Sequence, residues 1–111
     1  MSNHLVDKLR KAREFSVDAG GHKFTLRRPT DADVVEMTDA KAVDYVRRFV
    51  IGWDLKELDI IPGGGPEVPP FDSETWRAWI DDHGELWVPL ATALLDAYRE
   101  NSAKRETAEK N

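Results

Sequence analysis

Glu14-Phe-Ser-Val-Asp-Ala-Gly20-Gly21-His-Lys-Phe-Thr-Leu-Arg27 decides how the rest of the chain is read. Phe15 and Val17 alternate with polar neighbours, as do Phe24 and Leu26, and between the two runs lies a glycine pair able to take positive φ. That pattern predicts a β-hairpin with one apolar face. Two strands alone are marginal in water, so the face must pack on helices or on the sheet of another chain, and the unpaired edge offers a route to self-association.

Outward from the hairpin the period changes from two to about 3.6. Upstream, Leu5, Val6, Leu9 and Ala12 recur between charged residues, predicting a short amphipathic helix over Leu5 to Arg13. Downstream, Pro29 ends the strand, and Thr30 with Asp33 three residues later forms a capping-box-like helix start. Val34, Val35, Met37, Val43, Val46, Phe49 and Val50 then keep helical spacing up to Gly52, as one long helix or two short ones broken near Thr38-Asp39. Asp54 to Asp72 reads as a loop around Pro62-Gly-Gly-Gly-Pro66 and Pro69-Pro70. Asp72 or Ser73 caps a helix whose Trp76, Trp79, Ile80 and His83 share a face. A last helix starts near Leu86 to Pro89 and buries Leu90, Ala91, Leu94, Leu95 and Tyr98. Beyond Tyr98 the apolar pattern vanishes. The fold class expected is therefore α+β: a mostly helical small domain with one N-terminal hairpin packed on three to four helices, a single domain over 1–100 and a flexible charged tail over 101–111.

Composition agrees with one small core. The chain has 111 residues, of which 41% are hydrophobic and 33% charged, enough apolar material to fold. It contains no Cys, which excludes a disulfide framework, thiolate metal ligation and a cysteine nucleophile. No apolar run approaches membrane-spanning length, and the opening Met-Ser-Asn-His-Leu lacks a signal-peptide apolar region, so no membrane association and a cytoplasmic setting are expected. The net charge of −5 is unevenly spread: residues 1–30 carry seven bases and three acids, residues 31–96 five bases and fifteen acids. An anionic surface is one partner the basic start could bind, but a solvated helix face explains the same charges and is the preferred reading.

The inventory for catalysis is thin. His4, His22 and His83 form no metal-ligand pair in sequence, and no serine lies in a Gly-x-Ser-x-Gly turn. Gly63-Gly64-Gly65 lacks the Lys-Ser/Thr and following helix of a phosphate cradle. These features predict neither an enzyme nor a bound cofactor or metal. Lys8, Arg10, Lys11 and Arg13, joined by Lys23, Arg27 and Arg28, are the natural nucleic-acid contacts. Phe15 and Phe24 point inward in the hairpin, however, leaving no base-stacking surface, and this argues against nucleic acid. Four Trp, at 53, 76, 79 and 87, are the outstanding feature. Trp fills cores and also anchors protein interfaces. Protein binding is the generic function expected on these grounds.

A more specific pattern is carried by strand Phe24-Thr-Leu-Arg-Arg-Pro-Thr30, by Arg47-Arg-Phe-Val-Ile-Gly-Trp53 closing a helix, and by Pro70-Phe71-Asp72-Ser73-Glu74 ahead of two acidic-apolar helices. Over about residues 22–100 this order resembles the tail assembly chaperones of long-tailed bacteriophages and their prophage relatives. In that family a Val-x-Gly-Trp helix end is followed by a connection ending in Pro-Phe-Ser-x-Glu; Val50-Ile51-Gly52-Trp53 and Pro70-Phe71-Asp72-Ser73-Glu74 occupy the corresponding places. The connection here is longer, and the first helix and first strand are additions. The resemblance implies a nonenzymatic role in virion morphogenesis in the host bacterial cytoplasm, in which the protein binds the helical tape-measure protein and helps recruit tail-tube subunits. The family also often makes a longer, frameshifted product; Glu109-Lys110-Asn111 can be encoded by GAA AAA AAC, which contains a slippery adenine run, and by other codons without one. The expected client site is a groove between the helices bearing Trp76, Trp79, Leu90 and Leu94, braced by Trp53 and Phe71. The alternatives are another morphogenesis protein, a connector or tail terminator that closes into a ring, and a generic acidic protein-interaction module.

Overall fold

The computed structural model describes residues 4–110. In chain order the elements are α1 (His4–Lys11), β1 (Glu14–Ala19), β2 (His22–Arg27), α2 (Asp31–Glu36), α3 (Ala42–Phe49), β3 (Val50–Trp53), α4 (Glu57–Ile60), α5 (Ser73–Asp81), a 3-10 turn (Gly84–Leu86) and α6 (Trp87–Lys110). The expected hairpin forms. Ala19 pairs with His22 around Gly20 and Gly21, whose φ values of 58° and 80° suit the two-residue turn that follows strand twist. A Cβ at Gly20 would in addition lie 2.8 Å from Leu86 Cδ2, so the Leu86 side chain would have to shift.

The sheet has three antiparallel strands in the order β1-β2-β3, so β2 is central and its Phe24 and Leu26 are fully buried. The third strand is a correction to the predicted helix reaching Gly52. α3 ends at Phe49, and Val50 turns extended with φ −82° and ψ 125°. Val50 and Ile51 are β-branched and fit a pleated strand better than a helix end. Gly52 stands opposite Thr25, where a Cβ would come within 3.0 Å of the Thr25 Cβ, and the register then shifts so that Val50 faces Leu26. Glycine permits that close crossing.

α3, α5 and α6 cover the inner face of the sheet. Val46, Phe49, Trp76, Ile80, Leu90 and Leu94 meet Phe24 and Leu26 in one core with no solvent exposure. The region expected as one helix or two resolves into α2 and α3. Thr30 Oγ1 accepts from Asp33 N at 3.1 Å, and Asp33 Oδ2 accepts from Thr30 N at 2.9 Å, the reciprocal capping box. Asp33 also accepts from Arg48 at 2.8 Å and lies 3.5 Å from Arg27, tying α2 to α3 and to the end of β2. Asp72 caps α5 by accepting from the amides of Glu74 and Thr75.

Two further corrections concern segments outside the apolar pattern. The predicted loop contains α4, a single turn against which the glycine run folds back: Leu58 N donates to Gly65 O at 3.0 Å, and a Cβ on Gly64 would lie 2.6 Å from the Glu57 carbonyl. Gly63-Gly64-Gly65 thus serves a close backbone approach. The predicted tail over 101–111 is, as far as Lys110, a continuation of α6, and Asn111 lies outside the described residues. Its anchor is polar: Tyr98 Oη donates to Asp31 Oδ1 at 2.9 Å, and Arg105 donates to both Asp31 oxygens at 3.1 and 3.2 Å. A hydrophobic period cannot reveal such an anchor.

Candidate functional site

Each tryptophan is built into the fold by its ring and by its indole N–H. Trp76 Nε1 donates to Val46 O at 3.0 Å and joins α5 to α3; Trp79 Nε1 donates to Asp59 O at 3.1 Å and joins α5 to α4. Trp87 Nε1 donates to Ile80 O at 2.7 Å, and Trp53 Nε1 to Pro69 O at 2.9 Å. A buried indole without an acceptor would lose the hydrogen bond it makes in water, so these four carbonyls decide where the rings can sit. The rings themselves are contiguous, with Phe24–Trp76 centroids 5.4 Å apart, Trp76–Trp79 5.7 Å, Phe71–Trp76 6.3 Å and Trp53–Phe71 4.8 Å.

This arrangement overturns the expected groove. Trp76, Leu90 and Leu94 have no exposure at all, and the space between α5 and α6 is filled by core. Trp53 and Phe71 are half-buried against that core and do brace an edge, but the edge is that of the loop after α4. Trp79, at 9% exposure, is buried as well, but its ring forms part of the wall of a surface groove.

This groove lies between α4 and α5, a cavity of about 360 Å³ lined by Ile60, Ile61, Thr75, Ala78, Trp79, Asp82 and His83. His83 closes one end by stacking on Trp79 at 3.8 Å between centroids. Its Nδ1 is 2.6 Å from Trp79 O, and because a carbonyl only accepts, the ring carries a proton on Nδ1. Thr75 sits at the other wall, its hydroxyl donating to Asp72; that bond, with the Thr75 and Glu74 amides, holds the Asp72 carboxyl below its ordinary pKa. Ile61, in the groove wall just after α4, is 57% exposed, Leu58 on α4 is 48% exposed, and Val68 in the following loop is 50% exposed.

Its electrostatic setting is one-sided. From Asp54 to Glu85 the chain carries nine acids and two bases, so the aliphatic patch sits in an acidic surround. Ile60 and Ile61 are functional candidates that the sequence pattern assigns to a loop; the signal present was the apolar run Leu58-Asp59-Ile60-Ile61 just before Pro62. No three His, Asp or Glu side chains converge as a metal site among the described residues, and no helix there is long and apolar enough to cross a membrane. Compared with family models, curated proteins and solved structures, the chain matches none.

Proposed function

We propose that the protein is a nonenzymatic tail assembly chaperone of the long-tailed phage type, which covers the apolar stripe of a tape-measure protein and helps recruit tail-tube subunits around it. The observation that carries this reading is the apolar groove walled by Ile60, Ile61, Ala78 and Trp79, with Ile61 57% exposed, in an acidic stretch of chain that also exposes Leu58 and Val68. An amphipathic client helix needs its apolar face covered, and basic residues flanking that face are attracted to the carboxylates around the groove. Many copies holding a long client weakly act together through multivalency and can be displaced one by one.

Support also comes from the two motifs that carry the family resemblance. Trp53, ending Val50-Ile51-Gly52-Trp53, meets Phe71 of Pro70-Phe71-Asp72-Ser73-Glu74 edge-on at 4.8 Å. Together they hold the loop that follows α4, which delivers Ile61 and Val68 to the surface. The motifs therefore support the client patch from behind.

The test is co-expression with the tape-measure protein of the same genome. That long protein is expected in the soluble fraction only when this chain is present, and the Leu58→Asp, Ile61→Asp double variant, folded by circular dichroism, is expected to lose at least about ten-fold in affinity. A tape-measure protein equally insoluble with and without the chain defeats the reading. Light scattering that finds a fixed closed ring instead transfers the assignment to a connector or tail terminator.

A further inference from the structure

The second concave region of the molecule has different chemistry. Arg13 lies between α1 and β1, Arg28 directly follows β2, and Arg28 N donates to Arg13 O at 2.8 Å, so the two arginines stand side by side where the hairpin ends. Two adjoining cavities, of about 290 and 400 Å³, share Arg13, Arg28 and Asn101 as walls. Lys104 of α6 lines the first and Arg105 the second.

Four arginines are half-buried, and they divide into two classes. Arg27 is ion-paired with Asp33 and Arg47 with Asp81 and Asp44. Arg13 and Arg28 have no ion-pair partner among the described residues. Arg13 Nε is buried with no hydrogen-bond acceptor, and the Arg28 head reaches only the Pro29 carbonyl, at 2.9 Å. A buried guanidinium donor left unpaired costs free energy, and two adjacent cations repel. Burial first, then the charges of Arg13 and Arg105, push the Arg28 pKa below its ordinary value, the same imbalance seen from the proton's side.

We propose that this cleft binds a small dianionic oxyanion of the phosphate class, gripped by the guanidinium groups of Arg13 and Arg28. Guanidinium forks match the oxygens of such an anion in pairs, and two cations without ion-pair partners favour its charge. The first cavity alone, about 290 Å³, is roughly ten times the ~30 Å³ share of a water molecule, enough for a phosphoryl group with a small substituent. A polymer is disfavoured: Glu14 and Glu100 stand in the same walls, and the chain as a whole is at −5. Asp31, in the wall of the second cavity, offsets part of the Arg28 charge, but its oxygens accept from Arg105 and Tyr98 rather than from Arg28.

The side-chain Nε–Hε resonances of arginine in ¹⁵N-labelled full-length protein read this site directly. Titration with inorganic phosphate, at ionic strength held constant with sodium chloride, is expected to shift the Arg13 and Arg28 signals saturably while exposed Arg10 and Arg77 stay in place. Arg28→Gln is expected to weaken the titration at least ten-fold, and Arg28→Lys, which keeps the charge but not the fork, several-fold. A parallel titration with glycerol 3-phosphate separates the sources: saturation of the same two signals assigns a phosphorylated small molecule, and saturation by inorganic phosphate alone assigns the free ion. Shifts that are linear, shared equally by all arginines or reproduced by chloride overturn the site. The wild-type titration alone can produce that outcome, so a variant that misfolds does not shield the proposal.

Discussion

The α4–α5 groove and the α1–α6 cleft are both open concavities of similar size, and they are built on opposite principles. The first is walled by Ile60, Ile61, Ala78 and Trp79, with the Trp79 indole N–H satisfied inside the fold, and it leaves aliphatic surface in water. The second is walled by Arg13, Arg28 and Asn101 and leaves charge only partly offset. α6 joins them: Trp87 at its start packs on Ile80 of α5, and Asn101 lies fourteen residues on, about 21 Å at 1.5 Å per residue. α6 walls the cationic cleft in part and the groove not at all, so each can be altered without touching the other.

The sharpest way to break this separation is to remove the core that keeps it rigid. Trp76→Ala should cost about 3–5 kcal/mol, measured by urea unfolding, because it empties the centre of the aromatic cluster and removes the indole hydrogen bond to the Val46 carbonyl. Trp53→Ala should cost clearly less, since Trp53 is half-buried and its indole serves a loop carbonyl. Equal losses would mean that the loop after α4 is as integral to the core as α5, and that the groove cannot be treated as a surface feature.

Asp33 gives the next largest effect, on the side nearer the cationic cleft. Burial raises its pKa, but the Thr30 amide and hydroxyl and the charges of Arg48 and Arg27 outweigh that and leave it below its ordinary value. A carboxylate depressed in the folded state stabilises the fold above its unfolded pKa of about 4 and loses that contribution as pH falls through the lower folded value. Asp33→Asn should therefore cost about 1–3 kcal/mol at pH 6 and show a smaller stability difference from the parent at pH 3. A difference that stays constant down to pH 3 would show that shape rather than charge makes Asp33 useful.

What could be foreseen follows the range of the forces involved. The glycine pair at Gly20-Gly21, the Thr30–Asp33 box and the Asp72 cap act within four residues, and local pattern revealed each of them. Val50-Ile51-Gly52-Trp53 continues the apolar stripe of α3, and only pairing with β2, more than twenty residues earlier in the chain, makes it a strand. The tryptophans were legible as important but not as buried, because the same stripe on α5 serves a core or an interface until α3 and α6 are in place. The basic residues near the N-terminus read as one face. Tertiary structure divides them, giving Arg27 to Asp33 and leaving Arg13 and Arg28 to each other.

The last turns of α6 offer a smaller and more local contrast. Arg105 and Tyr98 both donate to Asp31, and those bonds hold its carboxyl below the ordinary value, Arg105 contributing most. Arg105→Ala should speed amide hydrogen exchange over residues 99–110 while leaving the unfolding midpoint of the domain unchanged. It should also leave the α4–α5 groove untouched, because no residue lining that groove lies in α6. A global loss of stability would instead make the end of α6 part of the cooperative core.

Ile61→Asp should have the least effect on the fold and a large one on binding, and the gap between the two is informative. Ile61 is 57% exposed, so replacing it forfeits little buried area, and a surface change of this kind is expected within about 0.5 kcal/mol by urea unfolding. A carboxylate there adds to an already acidic surround and puts a hydrated charge where an apolar client face would lie. If client binding falls while stability holds, the groove is an interface maintained at the expense of solubility. If stability falls by about 2 kcal/mol or more, Ile61 is covering Trp79 and belongs to the core, and the exposed patch shrinks to Leu58 and Val68. The phosphate titration of Arg13 and Arg28 in the same variant supplies the control: unchanged binding there shows that the two surfaces are independent, as the intervening length of α6 requires.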